Sequence, residues 1–170
     1  MKNIENKIKY GLPAVIDKNS RILIVGTFPS ELSLTKQQYY ANSMNQFWQI
    51  LFSIFQESFS TDYNKRLQLL TKNRIALWDI IEQCTRDGSS DNKIKNEKPN
   101  DFKKLINQYS NITHLLFNGS NPEKYFSKHK LSSYNLKPIP SLPSTSSANT
   151  HFTLEEKITR WSSIKYLLIK

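Results

Sequence analysis

The chain is short of the residues on which several kinds of chemistry depend. It has one cysteine, Cys84, which excludes an internal disulfide framework and fits a reducing compartment. The lone thiol reads as structural rather than as a nucleophile. Its three histidines, His114, His129 and His151, lie far apart and offer no metal cluster. With four glycines there is neither a GxGxxG nor a GxxxxGK[ST] pattern, so dinucleotide and nucleoside triphosphate sites lack their scaffold. The hydroxyl-rich "PSTS" has no G-x-S-x-G elbow around it, which excludes the usual serine triad. No apolar run reaches membrane-spanning length, and "MKNIENKIKYGLP" has no signal-peptide core. The expectation is a protein without metal, cofactor or membrane partner, working in the cytoplasm.

What the sequence does hold is aromatic and basic. Aromatics make up 12% of its 170 residues, Trp48, Trp78 and Trp161 among them, enough to furnish one core and too little chain for two; residues 1–170 are read as a single domain. The formal charge of +10 attracts a polyanion such as nucleic acid. Scattered lysines in a Lys-, Asn- and Ile-rich composition would give the same charge without a partner.

Four short apolar runs, at 21–25, 74–78, 113–118 and 136–142, read as strands that end in small or polar residues. Pro138 and Pro140 push the last of them toward an edge or a short, irregular run, since each removes a ladder donor. Helical spacing occupies the intervals: "NQFWQILFSIF" with its Phe47, Trp48, Leu51, Phe52 and Phe55 face, "TDYNKRLQLLTKN", "DFKKLINQYS" capped by Asp101, and "NPEKYFSKH" with Asn121 as cap and Pro122 first in the helix. The final "TLEEKITRWSSIKYLLIK" carries a Thr153–Glu156 capping box. The rhythm predicts an α/β fold: a doubly wound, three-layer α/β/α sandwich around a mostly parallel four-stranded sheet. Ligands of such folds bind outside the carboxyl ends of the strands. Those ends bring together Gly26 to Ser30, Asp79, Asn118 and Gly119, and Pro143 to Ser146.

Each of these residues has a binding reading and a structural one. Gly26 lets a ligand approach the backbone or is an ordinary strand-end glycine, and Thr27 and Phe28 offer backbone N–H groups to a developing anion. Tyr39 and Tyr40 could stack on a flat ligand or serve as lids. Asn45 either points an amide into the crevice or caps the helix behind it. Asn118 reads a planar ring or belongs to an Asn-Gly turn. Asp79 braces the crevice or caps a following helix. Ser144, Thr145 and Ser146 hold phosphate oxygens or form a solvent loop. Residues 84–100 form the longest stretch without regular structure, a flap whose Arg86, Lys93 and Lys95 could clamp a nucleic-acid backbone.

Four segments, "GTFPSELSLTKQQYYANSMNQFW", "ALWDIIEQCTRDGSSD", "LLFNG" and "LPSTSSAN", together resemble the hypoxanthine-DNA glycosylase family of the uracil-DNA glycosylase superfamily, from about Arg21 to the last helix. The resemblance implies a uracil-DNA glycosylase-like fold and cleavage of the N-glycosidic bond of a deaminated base in DNA. It implies Asn45 as the catalytic amide, Tyr40 as the ring that stacks on the flipped base, and Asn118 as the amide supporting base or transition state. Pro143, Ser144 and Thr145 match the loop that presses on DNA. Phe28 stands where better-known relatives carry a water-activating Asp or Asn. The sequence departs from the family pattern at Ser43 and Met44, where Pro and Arg are usual, at the second serine of "GSSD", and at Ser147. What is implied is an Asn45 carbonyl orienting a water, a leaving base held by the Thr27 and Phe28 amides, and no Schiff base, so that an abasic site is the product. Downstream abasic-site enzymes would follow in base excision repair, near the nucleoid in a prokaryote, and a monomer suffices. A non-enzymatic α/β module that binds nucleic acid through its tyrosines is the competing reading.

Overall fold

The structure, a computed structural model, describes residues 7–131 and 136–169. Its centre is a parallel sheet of four strands, β2 (Ile22–Gly26), β3 (Ile75–Asp79), β6 (His114–Asn118) and β7 (Lys137–Leu142), in the order β3-β2-β6-β7. Each strand lies within a residue of the run predicted for it. The proline-bearing β7 is an edge strand, as the two missing donors require.

The residues of β2 are buried on both sides and alternate between two cores. Ile22 and Ile24 face Phe47, Trp48, Leu51, Leu70 and Trp161; Leu23 and Val25 face Phe102, Leu105, Phe117 and Phe126. The first core is roofed by α2 (Phe47–Ile54), α3 (Tyr63–Lys72) and α6 (Leu154–Trp161). The second is covered by α4 (Phe102–Gln108) and α5 (Ser120–Lys128). This is the layering predicted for a doubly wound sheet.

The structure adds to the expected elements and moves some boundaries. A second, antiparallel sheet pairs β1 (Ile8–Tyr10), β4 (Ile81–Thr85) and β5 (Lys95–Pro99) in the order β1-β4-β5. It takes both ends of the 84–100 stretch, at 84–85 and 95–99, and a 3-10 turn at Asp91–Lys93 lies in the connection between β4 and β5, so only the middle of the stretch is irregular. A short α1 (Glu31–Lys36) fills the segment after β2, with the Ser30 side chain accepting from Ser33 N. The α5 helix starts at Ser120 behind Gly119, so Asn121 and Pro122 lie inside its first turn rather than at its cap. The predicted terminal helix has its capping box but breaks at Ser162 and Ser163 into α6 and α7 (Ile164–Leu168). No helix follows Asp79. The chain passes through Ile80 directly into β4, and the capping role expected for this aspartate does not exist.

Candidate active site

The topology dictates where a ligand can sit. From β2 the chain moves to β3 on one side and later crosses to β6 on the other, which leaves a crevice beyond the carboxyl ends of these strands. A cavity of about 580 Å³ opens there, within the range of small-ligand sites. Gly26 to Ser30, Tyr40, Asn45, Asp79, Asn118 and the 144–149 loop all line it. Of the predicted site residues, Pro143 stands behind this wall, where its carbonyl accepts from Trp161 Nε1 at 2.9 Å.

Gly26 forms the floor. A Cβ built on it would collide with Asp79 Oδ1 and sit 3.3 Å from the Tyr40 hydroxyl, so a glycine is needed for these groups to converge. The carbonyls of Gly26 and Thr27 accept from the N–H groups of Ile80 and Ile81 at 2.9 and 3.1 Å. The N–H groups of Thr27 and Phe28 have no partner among the described residues, and both residues line the crevice.

The two tyrosines divide their duties. Tyr39 is buried; its hydroxyl donates to the Pro13 carbonyl at 3.2 Å and its own carbonyl accepts from Trp48 Nε1 at 3.0 Å. It locks the loop and cannot stack on a ligand. Tyr40 turns back over the crevice with φ 51, a left-handed conformation that a side chain of its bulk adopts only under constraint. Its ring stacks on Phe47, with centroids 3.9 Å apart and planes 19° apart. Burial, then the charge of Asp79, hold its phenol well above the ordinary range, so it remains a hydroxyl.

Asn45, Thr145 and Asn118 form one hydrogen-bonded chain. Asn118 Nδ2 donates to the Tyr40 hydroxyl at 3.1 Å and to Thr145 Oγ1 at 2.9 Å. Thr145 N donates to Asn118 Oδ1 at 2.9 Å, and Thr145 Oγ1 donates to Asn45 Oδ1 at 2.8 Å. The Phe47 N–H also donates to Asn45 Oδ1, at 3.0 Å. A peptide N–H must face an acceptor, so the bonds from Phe47 and Thr145 fix which way both amides point. The helix cap is Gln46, so the capping role expected for Asn45 falls one position away, and the Asn45 bond to Phe47 N–H is a turn that leads into the helix. Of the two readings of Asn45, the amide lining the crevice is the one the geometry keeps.

This geometry changes one expectation. Two donors fill the acceptor positions of Asn45 Oδ1, so its carbonyl is not open to a water. The open side is Nδ2, which has no hydrogen-bond partner among the described residues and belongs to a side chain lining the crevice. Asn118 likewise has both Nδ2 protons engaged, on Tyr40 and Thr145. It holds the site together rather than offering a donor to a ring.

Sequence reasoning missed the anchor behind this network. Lys157 on α6 is 1% exposed; its Nζ donates to Gln46 Oε1 at 2.8 Å and to the Asn149 carbonyl at 2.9 Å. One buried ammonium thus ties the residue after Asn45 to the end of the 144–149 loop, and desolvation lowers its pKa. The signal was present in the spacing: Lys157, Trp161 and Ile164 repeat on the buried stripe, where a lysine needs buried partners. Arg86, expected as a phosphate clamp, is also buried. Its Nη2 donates to the Pro29 carbonyl and its guanidinium lies over the Phe28 ring at 4.9 Å. Lys93 and Lys95 remain exposed.

Asp79 is the crevice's buried carboxyl, 4% exposed, with Oδ2 lacking a hydrogen-bond partner among the described residues. Desolvation, then the negative charge of Asp91, raise its pKa to about 7 against the opposing pull of Arg86. No trio of His, Cys, Asp or Glu that could hold a metal is gathered among the described residues. No helix among them is long and apolar enough to cross a membrane.

A parallel four-stranded sheet with an amide, an aromatic ring and a hydroxyl-rich loop at its carboxyl edge is the architecture of a uracil-DNA glycosylase-like α/β protein. The family profile described as the uracil DNA glycosylase superfamily matches residues 13–165, and the chain belongs to that superfamily. It is 38% identical over 158 residues to a Methanosarcina acetivorans protein named hypoxanthine DNA glycosylase, covering 92% of this chain and 98% of that one. A Methanosarcina barkeri protein of the same name is 38% identical over 155 residues, covering 91% and 96%. The solution NMR structure of a candidate uracil DNA glycosylase from M. acetivorans superposes with a TM-score of 0.78 at 37% identity, over 95% of this chain and 99% of that one.

Proposed function

We propose that the protein is a monofunctional DNA glycosylase that releases deaminated bases, hypoxanthine foremost and uracil with it, and leaves an abasic site for downstream repair enzymes. The observation that carries this reading is the Asn118–Thr145–Asn45 chain, which holds an amide at a fixed angle in a crevice beside an aromatic ring. Relatives that span nearly the whole chain bear the name hypoxanthine DNA glycosylase, which supports the choice of substrate.

A base can reach this crevice only by leaving the duplex, and a mispaired, deaminated base leaves at the least cost. In the bound state the Tyr40 face turned away from Phe47 stacks on it. The C1′–N bond then breaks with its electron pair passing to the base, and the free N–H groups of Thr27 and Phe28 stabilise the charge that grows there. Asn45 Nδ2 donates to the oxygen of a water, holding it below the sugar with a lone pair toward C1′. That water adds to the oxocarbenium-like centre and sheds its proton to solvent. A fixed water and a stabilised leaving group suffice for such a dissociative step, so no strong base is needed. No lysine lines the crevice among the described residues, which supports hydrolysis without a Schiff base or strand cleavage. One copy of the chain supplies every group named.

Duplex oligonucleotides carrying hypoxanthine, uracil or xanthine, incubated with the protein and split into samples with and without alkali, test the reading. Strand scission that needs the alkali is the expected outcome. Scission without alkali would show lyase chemistry, and tight binding with no product on any lesion would favour a binding module.

A further inference from the structure

One crevice group has no part in the chemistry above. Asp79 ends β3 and pairs in register with Gly26 of β2, whose missing side chain leaves its carboxyl room at the floor of the cavity. Its Oδ2 is buried without a hydrogen-bond partner among the described residues. The groups around it come from every packed element. The loop before α2 supplies the Tyr39 and Tyr40 phenols, β6 supplies the uncharged Asn118, and the segment between β4 and β5 supplies Asp91 and Arg86. The one cation of that set, Arg86, is turned to the Pro29 carbonyl and lies 3.9 Å from Asp91. A carboxylate left in such a place would be desolvated, unpaired and repelled by Asp91, and the cheaper state is the neutral acid.

A neutral carboxyl offers one donor and one acceptor side by side. Hypoxanthine, uracil and xanthine each present the matching edge, a ring carbonyl next to a ring N–H. We propose that Asp79 receives the extrahelical base as a neutral carboxylic acid, donating to the base carbonyl and accepting from the adjacent N–H. The role deepens the glycosylase reading and rests on it. The raised pKa of Asp79, about 7, agrees with the protonated form being populated in neutral solution.

Single-turnover kcat/KM on a hypoxanthine-containing duplex, measured from pH 5.5 to 8.5 for the wild type, Asp79→Asn and Asp79→Ala, tests this. The wild-type rate should fall above about pH 7, approaching tenfold per pH unit, because the donor proton is lost. Asp79→Asn keeps one donor and one acceptor at every pH, so its activity should persist and that alkaline fall should vanish. Asp79→Ala should lose about 10- to 100-fold at pH 6. Circular dichroism of both variants confirms that the fold is kept, and the wild-type profile alone is informative: a rate that is flat across neutrality overturns the proposal. So does an alkaline fall that survives in Asp79→Asn, or an inactive Asp79→Asn with wild-type activity that rises with pH, the mark of a carboxylate base. Absence of base release from every lesion by the wild type would instead overturn the glycosylase reading.

Discussion

Thr145→Val isolates the bridge between the two crevice amides. Threonine and valine are nearly the same shape, and Thr145 is fully buried, so the substitution opens no cavity. It removes one hydroxyl that accepts from Asn118 and donates to Asn45. Asn118 Nδ2 then has a proton without an acceptor in a buried place, a loss of about 1–3 kcal/mol, whereas Asn45 Oδ1 keeps the Phe47 N–H and loses less. The sum is about 2–3 kcal/mol of stability, or a fall in melting temperature of about 5–10 °C for a chain of this size. Base release should fall further, by about 10- to 100-fold, because the Asn45 amide loses one of its two anchors. Thr145→Ser restores the hydroxyl and should recover most of the rate at a cost of about 1 kcal/mol for the missing methyl. Urea unfolding and single-turnover base release on all three proteins give both quantities. A valine variant within about 0.5 kcal/mol of wild type, with full activity, would refute the bridge.

Asp79 also makes a pH-dependent contribution to folding. Its native pKa lies near 7, above the ordinary 3.8, so the native state binds the extra proton and stability falls as pH rises between those values. Asp79→Asn should therefore match wild type near pH 4 and exceed it by a few kcal/mol, about 4 at most, at pH 8; denaturation curves at the two pH values check this. Lys157→Met leaves Gln46 Oε1 and the Asn149 carbonyl without their donor, and should cost about 2–4 kcal/mol in unfolding experiments while lowering the base-release rate. Met44 is 67% exposed beside Asn45; Met44→Arg should steepen the salt dependence of DNA binding by about one unit of log K against log salt, read from affinities over a salt series.

The parallel sheet was legible in the sequence because its strands are buried on both faces and stand out as continuous apolar runs. The second sheet was not. Strand β5, "KNEKP", is mostly exposed, and β4 pairs with it through register shifts, so neither an apolar run nor clean alternation announces them. That hidden sheet also explains Arg86. A charge in an apparently irregular stretch reads as solvent-facing, yet here Arg86 directly follows β4 and its side chain is buried. The crevice positions of Gly26, Asn118 and Thr145 followed from the strand ends, and Asn45, expected from the resemblance, meets them there. What local pattern could not carry was the direction of each hydrogen bond. The unfilled side of Asn45 depends on Thr145, one hundred residues further on. The buried ammonium that steadies both segments comes from α6, where its spacing marks it as buried but does not say which acceptors it meets.

The most direct test of the account is release of hypoxanthine from a duplex by wild type and Asn45→Ala, with duplex affinity measured in parallel. Wild type should leave alkali-labile abasic sites, and the variant should bind DNA with similar affinity but release base at least about 100-fold more slowly. Full turnover by Asn45→Ala would contradict the account.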